Sequence, residues 1–190
     1  MARKLTMLGM AIAALAALAI PAMASAAPVV TDPEGVILGT PANLKGVSNN
    51  AVTTNTPLGT LECGTVEITA KLTENTGSKV KAEGTGGTTA VCETSEEEAL
   101  TVTNPTLVSL TSTTAGSGSV SMSYTADVGS FECPYSANNG TFTYANDTDI
   151  IHVHAILTTP FVPCRPVSGS ITFEGTFTIT TSNGAIVTFD

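Results

Sequence analysis

Tryptophan is absent from this chain of 190 residues, and aromatic and charged side chains are few. Aromatic residues make up 5% of the sequence and charged residues 12%, with seven lysines and arginines against sixteen acidic residues. The formal net charge of −9 becomes −11 once Arg3 and Lys4 are removed with an N-terminal signal. Because binding to nucleic acid or anionic lipid requires clustered Lys and Arg, this composition excludes nucleic acid as a partner and argues against a membrane-surface role.

Long apolar runs are also missing, apart from residues 5–20. This run follows the basic pair Arg3-Lys4 and precedes Ala24-Ser25-Ala26, the small-residue pattern of a cleavage site. It is shorter than the roughly 20 residues of a spanning helix. We therefore predict a bacterial signal peptide at residues 1–26, with an uncleaved anchor as the alternative. The mature protein is expected to be secreted, extracellular and without a membrane span.

The four cysteines all follow the predicted signal, and an even number in an exported chain predicts disulfides. The segment GTLEC at 59–63 is echoed by GSFEC at 129–133, and each of these cysteines is followed by another at a similar distance. This spacing favours the bridges Cys63–Cys92 and Cys133–Cys164 over the other two connectivities. The rival use, a zinc site, is disfavoured because the sequence has no C-x-x-C pair.

The same echo predicts the domain organisation. Residues 27–190 are expected to form a single all-β domain, built from two related units at about 59–128 and 129–190, or else to carry a chance similarity in a sequence rich in Thr, Gly and Ser.

Alternation of apolar and polar residues is the main structural signal after residue 26, and helical periodicity is not evident. It predicts strands with one buried face. We expect an antiparallel β-sandwich of about 8–11 strands, with a closed Greek-key or up-and-down barrel as the alternative. Asn183-Gly184 predicts a hairpin turn. The apolar positions expected to face the core are Val66, Ile68, Ala70, Leu72, Val120, Met122, Tyr124, Ala126, Phe142, Tyr144, Ile171, Phe173, Phe177 and Ile179.

His152 and His154 are the only histidines, and their H-x-H spacing on a strand places both rings on one face. Two such rings can hold one zinc ion, although a catalytic site needs a third ligand. The other face of this strand is wholly apolar. We therefore expect two solvent-facing histidines, with a metal site as the alternative.

The acidic segments allow one further cofactor. Asp147 and Asp149 lie in a loop whose oxygen ligands suit calcium, but the full calcium-loop pattern is missing, so an ordinary polar turn is the competing interpretation. A run at Glu96, Glu97 and Glu98 is expected to be a solvated face.

Catalytic motifs are not recognisable in the sequence. It contains no G-x-S-x-G elbow, and no spacing of Ser, His and Asp singles out a triad. Glycan-binding modules commonly stack aromatic rings on sugars. With Tyr124 and Tyr144 assigned to the core, Tyr135 is left as the one candidate platform.

The paired cysteines, the GTLEC segment and the strand ITFEGT at 171–176 together resemble short exported, cysteine-paired, Thr/Gly-rich β proteins of high-GC actinobacteria. The resemblance covers most of residues 34–190. It implies an exported β-domain and assigns neither an activity nor a functional residue. The acidic run at Glu96, Glu97 and Glu98 and the His152/His154 pair are not features expected from it.

The leading functional hypothesis is an exported, disulfide-stabilised, non-enzymatic β-domain. It would serve as a surface, binding or structural module of unknown ligand, with proteins or glycans as candidate contacts and no cofactor. The alternative is a metal-binding protein or metal-dependent enzyme that uses His152 and His154, with zinc as the cofactor there and calcium as the cofactor that Asp147 and Asp149 would hold.

Overall fold

The computed structural model describes residues 27–49, 52–56, 59–88, 90–94, 99–128, 131–145, 149–164 and 171–189. These residues form antiparallel strands and one short 3₁₀ turn at Val162–Cys164. The predicted all-β antiparallel fold is confirmed. The strands are β1 (Val30–Thr31), β2 (Ala42–Ser48), β3 (Val52–Thr56), β4 (Gly59–Cys63), β5 (Glu67–Asn75), β6 (Val80–Gly87), β7 (Ala90–Thr94), β8 (Ala99–Thr114), β9 (Ser117–Val128), β10 (Phe131–Ala145), β11 (Ile150–Leu157), β12 (Ile171–Thr181) and β13 (Thr188–Phe189).

Eleven of these strands build a closed up-and-down barrel with eight positions in its wall. Strands β8 to β12 each fill one position and pair with their neighbours in sequence order. The other three positions are each filled by two short strands that follow one another, β2 then β3, β4 then β5, and β6 then β7. The ring closes because β12 pairs with β11 on one edge and with β2 and β3 on the other.

Because the sheet closes into a ring, the fold is the closed barrel, the alternative that the sequence allows beside a β-sandwich. The pairing of Phe177 with Ser48 joins strands about 130 residues apart in the chain. A closed sheet leaves no unpaired edge along the wall. An eight-stranded barrel has an interior just wide enough to be filled by side chains or to hold one small ligand.

The predicted alternation decides which residues enter that interior. Val120, Met122, Tyr124 and Ala126 of β9 are all buried, while the serines between them lie on the outer side. The same holds for the predicted apolar positions of β5, β10 and β12, which are buried or half-buried. The outer wall is therefore rich in Thr and Ser, and the interior is apolar.

The buried residues form two clusters, one towards each end of the barrel. The first contains the four cysteines and also Tyr124, Tyr135 and Phe173. We call this the disulfide end. The second contains Leu72, Phe142 and Tyr144 together with residues of the short strands β1 and β13.

Strands β1 and β13 form a separate two-stranded sheet. Val30, Val187 and Phe189 are buried against the second cluster, with exposures of 0%, 0% and 5%. We call β1 and β13 the β1–β13 clasp, and the part of the barrel that they cover the clasp end. The predicted hairpin at Asn183-Gly184 brings β13 back towards the barrel, with the Gly184 amide donating to the Thr181 carbonyl at 2.9 Å.

Close packing at the clasp end depends on Gly118. A Cβ atom at this position would lie 2.6 Å from the Phe142 ring and 2.3 Å from the Thr111 carbonyl oxygen. The absence of a side chain thus allows the ring of Phe142, which is 1% exposed, to lie directly against β9.

Within the described ranges, no helix is both long enough and apolar enough to cross a membrane.

Candidate functional site

The two histidines lie on the outer face of β11, and both side chains are exposed. Their register partners are Thr143 and Thr176 for His152, and Thr141 and Glu174 for His154. His154 Nδ1 lies 3.1 Å from Glu174 Oε1. The opposite face of β11 is the buried one, as the sequence predicts, with Ile151, Ala155 and Leu157 at most 3% exposed.

These contacts do not assemble a metal centre. Among the residues that the structure describes, no group of three or more His, Cys, Asp or Glu side chains is placed to hold a metal ion. His152 faces threonine on both neighbouring strands rather than further ligands. What the arrangement provides is one exposed His–Glu pair on the outer wall.

Asp149 has a structural contact inside the turn between β10 and β11. Its carboxylate accepts a hydrogen bond of 2.8 Å from the Tyr144 hydroxyl, and its own backbone has a φ of +54°. Asp147, the other predicted calcium ligand, lies outside the described residues, as do the predicted signal peptide at 1–26 and the acidic run at Glu96, Glu97 and Glu98.

The cysteines pair as the spacing predicts. Cys63 is bonded to Cys92, which faces it on the neighbouring strand β7, and Cys133 is bonded to Cys164 of the 3₁₀ turn. All four are buried, with exposures of 0% to 6%. Their position inside the barrel makes them cross-links of the disulfide end and not accessible redox groups.

Tyr135, the one candidate platform that the sequence left for stacking on a sugar, is buried and cannot serve that role. Tyr135 is 7% exposed, its ring centroid lies 5.3 Å from that of Tyr124, and its hydroxyl donates to the Cys164 carbonyl at 3.1 Å. Burial raises the pKa of the Tyr135 phenol. The physical reason is strand alternation, since Tyr135 shares a face with the buried Cys133 two residues earlier.

The feature that sequence reasoning missed is a cavity inside the barrel, bordered by both clusters. Its volume is about 60 Å³, several times the 10–15 Å³ that one water molecule requires. The lining residues are Leu44, Gly46, Ile68, Ala70, Leu72, Ala82, Leu107, Leu110, Val120, Met122, Ile151, Val153, Phe173, Phe177, Ile179 and Phe189.

None of these sixteen lining residues has a polar side chain. Two buried tyrosine hydroxyls are engaged elsewhere, Tyr135 with the Cys164 carbonyl and Tyr144 with the Asp149 carboxylate. Wall hydrogen bonds occupy the backbone polar groups along the paired strands. The cavity can therefore stabilise a ligand through apolar contact but offers no side-chain partner to a charge.

Small residues create this space. Gly46, Ala70 and Ala82 face inward from the adjacent positions β2, β5 and β6, and β2 is the direct neighbour of β12, which carries larger rings. Sequence alternation identifies Ala70 as inward-facing. It does not show that three small residues meet on one side of the interior, because that depends on strand register.

No protein-family model, curated protein or solved structure matches this chain. Functional interpretation therefore rests on the geometry of the barrel and of its cavity.

Proposed function

We propose that this chain works outside the cytoplasmic membrane as a non-enzymatic binding protein that encloses a small, uncharged, apolar molecule. The observation that carries the proposal is the apolar cavity at the centre of the closed barrel. Eight-stranded barrels whose interiors are not filled by side chains can hold one small ligand.

The chemistry of the lining favours an apolar ligand over water. Ordered water in a protein interior needs two to four polar partners, and apolar cavities of this size stay dry. An apolar molecule instead gains about 25 cal/mol for each Å² of surface that it removes from water. The cavity volume of about 60 Å³ is smaller than the roughly 150 Å³ of an apolar cavity that binds benzene, so the lining must move outward for a one- or two-ring molecule to enter.

The same lining disfavours a charged ligand. A carboxylate held among Leu72, Met122 and Phe177 would lose its hydration without gaining a hydrogen-bond donor, and an unpaired buried charge is strongly unfavourable. The site therefore discriminates against charged ligands, because none of the lining residues has a polar side chain.

Export is supported by two independent features. The sequence begins with the pattern of a signal peptide, and two buried disulfides are typical of proteins that fold in an oxidising compartment. The Thr- and Ser-rich outer wall is compatible with a protein that is surrounded by water and carries its apolar surface inside.

Titration calorimetry with naphthalene tests this proposal on the exported protein. An aromatic group of this size buries about 200–250 Å², which corresponds to at most about 6 kcal/mol and therefore to a dissociation constant no tighter than about 40 µM. Naphthalene-2-carboxylate is the matched control, because it keeps the ring system and adds one charge.

We expect naphthalene to bind with one-to-one stoichiometry and the carboxylate to bind at least a hundredfold more weakly. Equal binding of both compounds would contradict an enclosed apolar site. A complete absence of naphthalene binding would contradict the proposed function itself.

A further inference from the structure

The two ends of the barrel are closed by different kinds of bond. At the disulfide end, Cys133–Cys164 ties β10 to the 3₁₀ turn, and Cys63–Cys92 ties β4 to β7. At the clasp end, among the described residues, closure is non-covalent and involves β1 and β13. The disulfide end therefore resists opening, whereas the clasp end can open without breaking a covalent bond.

The clasp is held to its surroundings by the burial of Val30 and Phe189 and by a backbone hydrogen bond from Leu38 to Val30, but the pairing between its two strands is short. β1 and β13 share only two register pairs, Val30 with Phe189 and Thr31 with Thr188, and the two threonine hydroxyls are hydrogen-bonded to each other. By contrast, β11 and β12 in the wall share eight register pairs. Local opening follows the segments with the fewest contacts, so the clasp is expected to open before the wall does.

One side chain fastens β1 to the barrel. Asn75 lies at the end of β5. Its side-chain Oδ1 accepts a hydrogen bond from the backbone N–H of Val30 at 2.9 Å, and its Nδ2 donates to the backbone carbonyl of Val30 at 2.8 Å. It also donates to the Leu38 carbonyl at 3.0 Å. Loss of this single side chain would remove two hydrogen bonds to β1 and a third to the segment that follows it.

Phe189 connects the clasp to the cavity. It is the only residue of β1 or β13 that lines the cavity, and its ring centroid lies 6.1 Å from that of Phe142 and 5.6 Å from that of Tyr144. When β13 moves away, one side of the cavity lining leaves with it. Opening of the clasp and opening of the cavity are therefore the same movement.

We infer that the β1–β13 clasp is the door of the barrel, through which an apolar ligand enters and leaves while the disulfide end stays shut. This inference rests on the proposed function, since it concerns uptake into the same cavity. On this inference, β1 and β13 control the rate at which the ligand enters and leaves, whereas the residues that line the cavity determine the affinity for the ligand.

A cross-link between the facing residues of the clasp tests the door. The variant Thr31→Cys/Thr188→Cys is loaded with naphthalene and oxidised, and the release of naphthalene on dilution is followed by stopped-flow fluorescence. We expect the bound naphthalene to be released at least tenfold more slowly than from the matched variant Thr31→Ser/Thr188→Ser, which cannot form a cross-link. Release at the same rate from both variants would overturn the inference.

A cross-link in the wall serves as the second control. Thr141 and His154 face each other on the outer sides of β10 and β11, and Thr141→Cys/His154→Cys should leave the release rate unchanged. If it slows release as much as the clasp cross-link does, general rigidity rather than a door explains the effect.

Asn75→Ala tests the inference in the opposite direction and does not require a new disulfide. Stopped-flow mixing with naphthalene should show uptake and release each at least fivefold faster, with the dissociation constant changed less than threefold. Unchanged rates in this variant would count against the door. If neither wild type nor any variant binds naphthalene, the proposed function fails and not merely the door.

Discussion

Ala82 shows how a single small side chain decides what this barrel can hold. It is 3% exposed and lines the cavity from β6. A larger side chain at this position would occupy the space assigned to the ligand. It would also supply apolar contacts that the lining of the empty cavity lacks.

We therefore predict that Ala82→Leu weakens naphthalene binding at least tenfold, while the free energy of unfolding stays the same or rises by about 1 kcal/mol. Calorimetry and urea denaturation measure the two effects. Val108→Leu is the matched control, because Val108 is 51% exposed and added bulk there does not enter the barrel. If the Ala82→Leu protein binds naphthalene as tightly as wild type does, the ligand lies outside this cavity.

Tyr135 gives a prediction for pH. Burial raises the pKa of its phenol above the usual value near 10, so above that pH the unfolded chain loses a proton that the folded protein retains. Stability from this group is complete below pH 10 and is lost as the pH rises through the folded-state pKa. Denaturation curves between pH 8 and pH 11 should show a steeper alkaline decline for wild type than for Tyr135→Phe. Parallel curves would contradict the assignment.

At the scale of single elements, the turn at Asn183-Gly184 determines where β13 goes. Gly184 has a φ of +85°, and no atom lies within 4 Å of the position that a Cβ would take. Only backbone strain therefore opposes a side chain at this position.

We predict that Gly184→Ala lowers the free energy of unfolding by about 1 kcal/mol. Gly39→Ala is the control, since Gly39 also has open space around it but lacks a positive φ; it should be neutral or slightly stabilising. Urea denaturation of the two variants makes the comparison. Equal changes in the free energy of unfolding would show that the positive φ of Gly184 is not needed to place β13.

The inward face of each long strand was predictable, whereas the closure of the sheet was not. Alternation in β9 and β11 assigns Met122 and Ala155 to the interior in a sandwich and in a barrel alike, so it cannot distinguish them. That distinction depends on the pairing of β12 with β2, which no local pattern encodes. β1 is only two residues long, too short for any periodicity, and the clasp was missed for that reason.

The candidate site was less predictable than the fold because it is a cavity and not a set of side chains with recognisable chemistry. His152, His154 and Asp149 attract attention by their chemistry, yet the structure places the histidines outside the barrel and Asp149 in a turn. The cavity depends on where Gly46, Ala82 and Phe177 lie relative to one another around the wall, which requires the register of several strands. Tyr135 is different, because its alternation with Cys133 could have identified it as buried.

At the scale of the whole molecule, the two disulfides stabilise the barrel to a similar extent. They close segments with sequence separations of 29 and 31 residues, for which the chain-entropy model gives about 3–4 kcal/mol each. Both pairs are buried, so local solvent exposure does not distinguish them.

We predict that Cys63→Ala/Cys92→Ala and Cys133→Ala/Cys164→Ala each lower the free energy of unfolding by about 3–4 kcal/mol. Guanidinium denaturation of the two double variants provides the comparison, with wild type as the reference. A difference of more than about 2 kcal/mol between them would show that native-state strain or residual structure, rather than loop length, governs their effect.

The location of a bound apolar molecule tests the central claim most directly. Intermolecular nuclear Overhauser effects between naphthalene and the methyl groups of the exported protein measure it. We expect contacts with Leu72, Ala82 and Met122, whose side chains face the cavity from three different strands. Contacts confined to exposed side chains such as Ile156 and Val162 would contradict a ligand site inside the barrel.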